Sequence, residues 1–289
     1  MIPGRFDYHL PRSVDEALAM LAQYGEDARP LAGGHSLIPM MKLRLATPGH
    51  LIDLQGLKEL KGISEDKGEI CIGAMTTQFE LLASALVAEA CPILLEAAAL
   101  IADPQVRYVG TVGGNCANGD PGNDLPAVMM ALDAAYVLRG PGGARTVKAD
   151  GFYRGPYATA MAANEILIEI RVPRPARGHG YSYQKMKRKV GDYAVAAAAV
   201  VLGVKGGTCS SAAVALTNVG PTPLKVAAAA KALVGSRVDA AAIAKAEAAA
   251  REIADPAGDM RGPPEFRRHV AGIMTRRAIE AALRRAQAG

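Results

Sequence analysis

The chain has 289 residues, half of them hydrophobic, which suffices for a sizeable core and about two domains. Its net charge of +5 arises from 33 basic and 28 acidic side chains that are largely interspersed, so basicity alone does not indicate a polyanionic partner. The four cysteines, Cys71, Cys91, Cys116 and Cys209, form no C-x-x-C pair, which disfavours a disulfide framework, a zinc ribbon or an iron–sulfur cluster held by this chain alone.

No stretch has the pattern of a targeting or membrane segment. Residues 1–13 lack the apolar core of a signal peptide. The longest apolar run, 194–204, falls short of the ~20 residues that a membrane span needs. We therefore expect a cytoplasmic protein, with peripheral association at the inner face of the membrane left open.

The first predicted unit is β-turn-α-β. Ser13 and Glu16 have the spacing of a capping box, which predicts a helix to about Tyr24 with Gly25 as its stop. The elements that follow are a strand over 29–32, the turn Gly33-Gly34-His35-Ser36, a helix over 37–45 and a strand over 50–54.

A second α+β unit begins with a strand over 69–75 and a capping box at Thr77 and Glu80. Asp124 and Pro126 have the pattern of the cap and first turn of a further helix. The other predicted elements are a helix over 92–101, a second glycine-rich turn in 107–115, and strands over 135–139, 146–148 and 165–172.

The Pro/Gly/Arg cluster at 173–180 predicts a domain boundary. Beyond it we expect a small sheet covered by helices. Its predicted strands are 181–187, 193–204 and 211–218, although the alanines of the second favour a helix on propensity alone. Three helices are predicted from Pro223 onward, one of them capped by Asp239.

The two glycine-rich turns are the features with a clear chemical meaning. A Gly-Gly turn before a helix offers backbone N–H groups with no Cβ in the way, and the helix dipole adds positive potential, which suits a phosphate. Two such turns, 32–36 and 111–115, could hold the two phosphates of a dinucleotide from opposite sides. A lone Gly-Gly is more often only a tight turn. The sequence contains neither the Rossmann nor the P-loop glycine signature, so those nucleotide sites lose support.

Four strings resemble the FAD-binding medium subunits of molybdenum hydroxylases, the xanthine dehydrogenase family. They are AGGHSLIPMMKLRLATPGHLIDL, GTVGGN, NGDPGNDLPAVMMAL and KMKRKVGDYAVAAAAV, and the similarity covers essentially the whole chain. Within that family, KRKVGDYAVA indicates the carbon monoxide dehydrogenase branch rather than the xanthine or nicotinate branches.

The resemblance implies an α+β fold of the vanillyl-alcohol-oxidase, or PCMH, type. Two α+β subdomains, about 1–56 and 57–177, would hold FAD between them. A C-terminal α+β domain, 178–289, would follow as a small antiparallel sheet with helices.

The resemblance also implies a set of FAD-binding residues. Asp124 would accept hydroxyl protons from the ribityl or ribose, Lys185 would bring a cation near the flavin ring, and Tyr193 could pack on that ring. The implied contacts are Ala32, Gly33, Gly34, His35, Ser36, Thr111, Gly113, Gly114, Asn115, Asp124, Leu167, Lys185 and Tyr193.

Taken alone, the residues leave other interpretations open. Asp124 is equally compatible with a helix N-cap, and Lys185 with a solvated strand lysine. Tyr193 is more often a core or surface packing residue than a cofactor contact. His35 has no second ligand at metal spacing, so no metal-binding residue is expected. No catalytic residue is expected either, because the resemblance implies that substrate oxidation lies on another subunit.

The function that the resemblance implies is electron transfer. FAD in this chain would take electrons from two [2Fe–2S] clusters on a small subunit and pass them to a quinone or another acceptor. A large subunit with molybdopterin cytosine dinucleotide would oxidise CO, and the assembly would be a dimer of heterotrimers.

Three alternatives remain at this stage. The chain could serve another molybdenum hydroxylase of the xanthine, nicotinate or aldehyde type, or it could be a self-sufficient flavin oxidase or reductase. It could also be a non-enzymatic basic protein that binds nucleic acid or a partner. That last function would use the arginine pairs 267/268, 276/277 and 284/285, which are more typical of a solvated or subunit-facing helix.

Overall fold

In the computed structural model, which describes residues 1–288, the chain forms three sheets and a short two-stranded ribbon. The first sheet has three parallel strands in the order β1-β3-β2, and its first strand was not predicted. The elements of this part are β1 (Asp7–His9), α1 (Val14–Tyr24), β2 (Ala28–Leu31), α2 (Leu37–Lys42) and β3 (His50–Asp53).

Helix α1 begins where the sequence predicts, but its capping box is only half formed. The Ser13 hydroxyl accepts a hydrogen bond from the backbone N–H of Glu16 at 3.1 Å. The Glu16 carboxylate instead accepts from the backbone N–H of Arg12 at 2.7 Å. Gly25 ends the helix with a φ of +54°.

The second sheet has five antiparallel strands in the order β4-β5-β10-β6-β7, and helices pack against it. Its elements are β4 (Ile63–Asp66), β5 (Glu69–Gly73), α3 (Gln78–Leu82), α4 (Ala85–Ala90), α5 (Ile93–Leu100), α6 (Pro104–Val109), α7 (Val112–Ala117), α8 (Asp124–Ala131), β6 (Ala135–Gly140), β7 (Gly143–Lys148), β8 (Tyr153–Gly155), β9 (Ala158–Thr159) and β10 (Ile166–Pro173). The capping box at Thr77 and Glu80 is complete, as predicted.

The second glycine segment differs from the predicted turn. Thr111 is the N-cap of α7, its hydroxyl accepts from the backbone N–H of Gly114 at 3.0 Å, and both glycines lie inside the helix. Helix α6, which precedes it, was missed although Asp103 and Pro104 are an N-cap and a first-turn proline. A turn is predicted because adjacent glycines are typical of turns. The structure has a short helix instead, because Thr111 caps its start and the glycines pack closely against neighbouring segments.

The third sheet is antiparallel, in the order β11-β12-β13-β14, and three helices accompany it. The elements are β11 (Gly180–Met186), β12 (Ala196–Lys205), β13 (Thr208–Thr217), β14 (Leu224–Lys225), α9 (Ala227–Leu233), α10 (Ala240–Ile253) and α11 (Pro264–Ala288). The predicted α+β class, with a C-terminal antiparallel sheet and helices, is confirmed.

The alanine-rich strand β12 is covered on both faces. Ala197 and Ala199 belong to the core that includes α5 and α8, whereas Ala196 and Ala198 belong to the core that includes α11. Small side chains allow close packing on either side, so tertiary context overrides the helix propensity of alanine here.

One of the C-terminal arginines is not solvated, contrary to the expectation for that helix. Arg267 is 3% exposed. Its guanidinium donates to the backbone carbonyls of Val195 at 3.2 Å, Ala257 at 2.8 Å and Asn218. It therefore ties the start of α11 to β12, to the end of β13 and to the segment before α11.

We expect Arg267→Met to lower the free energy of unfolding by about 3 kcal/mol or more, because it leaves buried carbonyls without donors. Arg277→Met, at an exposed position on the same helix, should change it by less than about 0.5 kcal/mol. Urea unfolding measures both. Equal effects of the two substitutions would contradict the interior role of Arg267.

Candidate functional site

One cavity lies where the three sheet-containing parts of the chain meet. Its volume of about 600 Å³ is in the range of small-molecule binding sites. Its wall comes from the segment after β2, the helices α6 to α8, and strands β10 and β11. All thirteen predicted site residues line it: Ala32, Gly33, Gly34, His35, Ser36, Thr111, Gly113, Gly114, Asn115, Asp124, Leu167, Lys185 and Tyr193. The structure thus brings together residues that are up to 161 positions apart, from 32 to 193.

The first glycine segment needs glycine at both positions. Gly34 has a φ of +74°, a left-handed backbone conformation that glycine adopts readily. A Cβ at Gly33 would lie 2.5 Å from the carbonyl oxygen of Val109, at the end of α6. The loop can therefore approach the second unit closely only without a side chain at position 33, while glycine at position 34 permits the left-handed backbone.

The backbone N–H groups of this loop have no protein acceptors. Among residues 1–288, no acceptor is found for the five consecutive N–H groups of 33–37. The first backbone bond of the following helix is donated by Ile38, to the carbonyl of Gly34 at 2.9 Å. The Ser36 hydroxyl makes no capping bond. All five residues line the cavity, so the loop presents a row of donors to a ligand.

The local N–H groups matter more here than the helix dipole. Helix α2 has only 6 residues, too few for a large macrodipole. The loop donors are the stronger feature for binding an anion.

The second glycine segment differs from the first in its hydrogen bonding. The N–H groups of Val112 and Gly113 donate to the carbonyls of Thr76 at 2.8 Å and Ala74 at 2.9 Å. Gly114 and Asn115 donate to the Thr111 hydroxyl and carbonyl. A Cβ at Gly113 would lie 2.5 Å from the Cβ of Ala74. The expected pair of equivalent cradles is therefore asymmetric, with unpaired donors on the first segment and close packing on the second.

Asp124 and Lys185 form a buried ion pair at the cavity. Lys185 Nζ lies 2.8 Å from Asp124 Oδ2 and donates also to the carbonyl of Leu100 at 3.2 Å. The Tyr183 hydroxyl donates to Asp124 Oδ1 at 2.5 Å. Burial raises the pKa of the Asp124 carboxyl, while the Lys185 ammonium and the Tyr183 hydrogen bond act in the opposite direction.

Two interpretations from the residues alone are wrong. The N-cap of α8 is Asn123, and Asp124 is its first helical residue, so Asp124 does not cap the helix. The Lys185 side chain is 1% exposed and is not a solvated strand lysine. Helix capping and exposure were plausible because the sequence does not reveal that β11 packs beside α8.

Tyr193 and Leu167 form other parts of the wall. The Tyr193 hydroxyl donates to Asp120 Oδ2 at 3.1 Å, and the Arg261 guanidinium lies 5.4 Å from the centre of its ring. Its ring packs against Gly122, where a Cβ would lie 2.7 Å from the ring. Leu167, on β10, is 5% exposed.

Two cavity residues were missed by the sequence analysis. Gln78 Oε1 and Asn118 Nδ2 are buried without hydrogen-bond partners among the described residues, and both residues line the cavity. Gln78 lies inside the capping box of α3 and Asn118 ends a short helix, so neither has a sequence signal that separates it from an ordinary surface amide.

The described part of the chain holds neither a cluster of metal ligands nor a membrane-crossing helix. Within residues 1–288, no group of three or more His, Cys, Asp or Glu residues is placed to hold a metal ion. In the same part of the chain, no helix combines the length and apolar character needed to cross a membrane. The four cysteines are free and buried.

Comparison with known proteins agrees with the family that the motifs indicate. Residues 4–175 match the family described as FAD binding domain in molybdopterin dehydrogenase, and residues 181–282 match the CO dehydrogenase flavoprotein C-terminal domain. The chain is 57% identical to the carbon monoxide dehydrogenase medium chain of Afipia carboxidovorans, over 99% of this chain and 100% of the relative. It is 51% identical to that of Hydrogenophaga pseudoflava, over 98% of each.

Solved structures give the same result. A chain of the Cu,Mo-CO dehydrogenase, in its cyanide-inactivated form, superposes with a TM-score of 0.98 at 57% identity, over 99% of this chain and 100% of that one. A chain of quinoline 2-oxidoreductase from Pseudomonas putida 86 superposes at 0.94 with 35% identity, over 99% of each. The predicted family, fold and FAD-binding character are confirmed.

We expect Lys185→Met to lower the free energy of unfolding by about 3–5 kcal/mol, because it leaves the Asp124 carboxyl buried without its cation. The double variant Asp124→Leu/Lys185→Met should recover much of that loss, since neither buried charge remains. Urea unfolding of the two single variants and the double variant gives the coupling. Strictly additive effects would contradict a direct buried pair.

Proposed function

We propose, from the premise that this chain belongs to the family of FAD-binding domains in molybdopterin dehydrogenases, that it is the flavoprotein medium subunit of a carbon monoxide dehydrogenase. Its function is to transfer electrons between the other centres of the complex and an external acceptor. The single observation that carries the FAD site is the row of unpaired N–H groups at 33–37 on the cavity wall.

The residues of the cavity fit FAD. The diphosphate needs several N–H donors close together, and the loop 33–37 supplies them. The ribose, ribityl and ring groups need both donors and acceptors, and the unpaired amide atoms of Gln78 and Asn118 supply one of each. When bound, FAD supplies a redox centre that takes up and releases one or two electrons.

The chain's own residues then have distinct roles. The loop 33–37 binds the diphosphate, and the segment 111–115 closes the opposite wall. The pair of Asp124 and Lys185 presents a fixed, hydrogen-bonded polar surface on the side of the third sheet. We further propose that Leu167 and Tyr193 contact the cofactor from β10 and from the segment that follows β11.

The partners and the location are proposals that the family membership supports. We propose a complex with a small subunit that carries two [2Fe–2S] clusters and a large subunit that carries molybdopterin cytosine dinucleotide and oxidises CO. The assembly would be a dimer of heterotrimers, cytoplasmic or at the inner face of the membrane, with a quinone as acceptor. Within this chain we propose an FAD-binding domain over 1–177, with subdomains 1–56 and 57–177, and a C-terminal domain over 178–289.

The alternative functions have less support. A medium subunit for another substrate class shares the fold but less of the sequence, as the 35% identity of the quinoline enzyme illustrates. Nucleic-acid binding through the arginine pairs has little support, because one arginine of each pair is buried or held in an ion pair. Arg267 is buried, Arg276 pairs with Glu247 at 3.8 Å, and Arg285 pairs with Glu96.

The function is tested on the purified complex under anaerobic conditions. We expect CO to bleach the flavin absorbance of this chain at a rate that accounts for turnover with an external acceptor. A complex that oxidises CO at full rate while its flavin stays oxidised would contradict the electron-transfer role. A complex without FAD would contradict the cofactor assignment.

We expect Gly34→Ala to weaken FAD binding by roughly tenfold or more, because a Cβ at a φ of +74° strains the loop that presents the N–H donors. Gly68→Ala is the matched control, since Gly68 has a φ of +80° in the β4–β5 turn outside the cavity. Fluorescence titration with FAD compares the two variants. Equal FAD affinities would argue against the loop as the diphosphate site.

A further inference from the structure

The amide of Gln78 is a buried polar group on the cavity wall that lacks a protein partner. Gln78 is 3% exposed, and its Oε1 has no donor among residues 1–288. Asn118 Nδ2, on the same wall, lacks an acceptor there. Because unpaired buried polar atoms are rare in native proteins, a ligand is the simplest partner for a group of this kind that lines a cavity.

The surrounding backbone holds Gln78 in place. It is the first residue of α3, after the capping residue Thr77, and its N–H donates to the carbonyl of Gly110 at 2.8 Å. A Cβ at Gly110 would lie 3.3 Å from Gln78 Oε1 and 2.9 Å from the carbonyl oxygen of Val106. The amide is therefore packed against a glycine that directly precedes Thr111 of the second segment.

The chemistry of the amide limits what it can bind. Oε1 requires a donor, and a diphosphate at neutral pH offers none. An amide also carries its donor beside its acceptor, which matches a base edge with the same pairing, as glutamine does on adenine. In FAD this chemistry occurs at the amine edge of adenine and at the N3–H and carbonyl edge of the flavin.

We propose that Gln78 pairs through its amide with a donor–acceptor ring edge of the bound dinucleotide and so helps to select it. The inference rests on the proposed function, since it requires FAD in the cavity. It adds a recognition residue that reads a ring and not the diphosphate.

The test compares Gln78→Met with wild type in the FAD-depleted complex. We expect FAD to bind about tenfold to a hundredfold more weakly, because a paired amide is lost. The unfolding free energy of the FAD-free chain should stay equal or rise, since an unpaired buried amide is removed. A merely structural glutamine would lower it. Gln184→Met is the matched control, because the Gln184 amide bonds to Ser182 Oγ at 3.0 Å and does not line the cavity.

Two FAD analogues identify the edge. One carries N6,N6-dimethyladenine in place of adenine, which removes the amine donors, and the other carries a methyl group on flavin N3. We expect wild type to discriminate against one of them and Gln78→Met to lose that discrimination, which assigns the amide to adenine or to flavin respectively.

Two results would overturn the inference. One is FAD binding by Gln78→Met that equals wild type. The other is a wild type that discriminates against neither analogue, since the amide would then serve a hydroxyl. If the wild-type complex bound no FAD at all, the proposed function would fail together with the inference about Gln78. The two failures are therefore distinguishable, because the results above overturn only the inference.

Discussion

The loop from Gly33 to Leu37 leaves five consecutive backbone N–H groups without protein acceptors, and the rest of the site depends on that arrangement. These residues are half-buried or exposed at the cavity, so their unpaired N–H groups are available to the acceptors of a ligand. Gly34 permits the left-handed backbone, and Gly33 permits the contact with Val109. Backbone conformation, more than side-chain chemistry, therefore makes this a site for an anion.

The remaining walls fix the loop and close the cavity. The N–H groups of 112–115 donate within the protein, to Ala74, Thr76 and Thr111, so this segment is a packed wall and not a second row of free donors. The third sheet contributes Tyr183 and Lys185 to the carboxylate of Asp124 on α8. The C-terminal part of the chain thus completes the wall of a cavity that begins at residue 32, which brings motifs that lie far apart in the sequence to one place.

Local patterns predicted much of the fold. Capping residues gave the starts of α1 and α3, and alternation gave most strands, because those signals act within a few residues. Local patterns do not suffice for strand β12, because its alanines favour a helix. The strand forms because both of its faces are buried in the fold. The glycines of α7 led to a predicted turn, because the sequence does not show that Ala74 packs against Gly113.

The site shows the same division between local and tertiary information. The resemblance supplied thirteen residues, and all of them line one cavity. The resemblance did not predict that the two glycine segments differ in their backbone hydrogen bonding. It also did not predict that Lys185 is buried or that the Gln78 amide oxygen has no partner. These depend on which groups already have partners in the fold, which is a tertiary property. Arg267 is a further example, since its sequence context resembles that of the exposed arginines on the same helix.

The asymmetry of the two segments is tested most directly by hydrogen–deuterium exchange of the complex with and without FAD. We expect the amides of 33–37 to exchange rapidly without FAD and slowly with it, while those of 112–115 are protected in both states. Exchange at 33–37 that is unchanged by FAD, or FAD-dependent protection confined to 112–115, would contradict the central claim that the first loop holds the diphosphate.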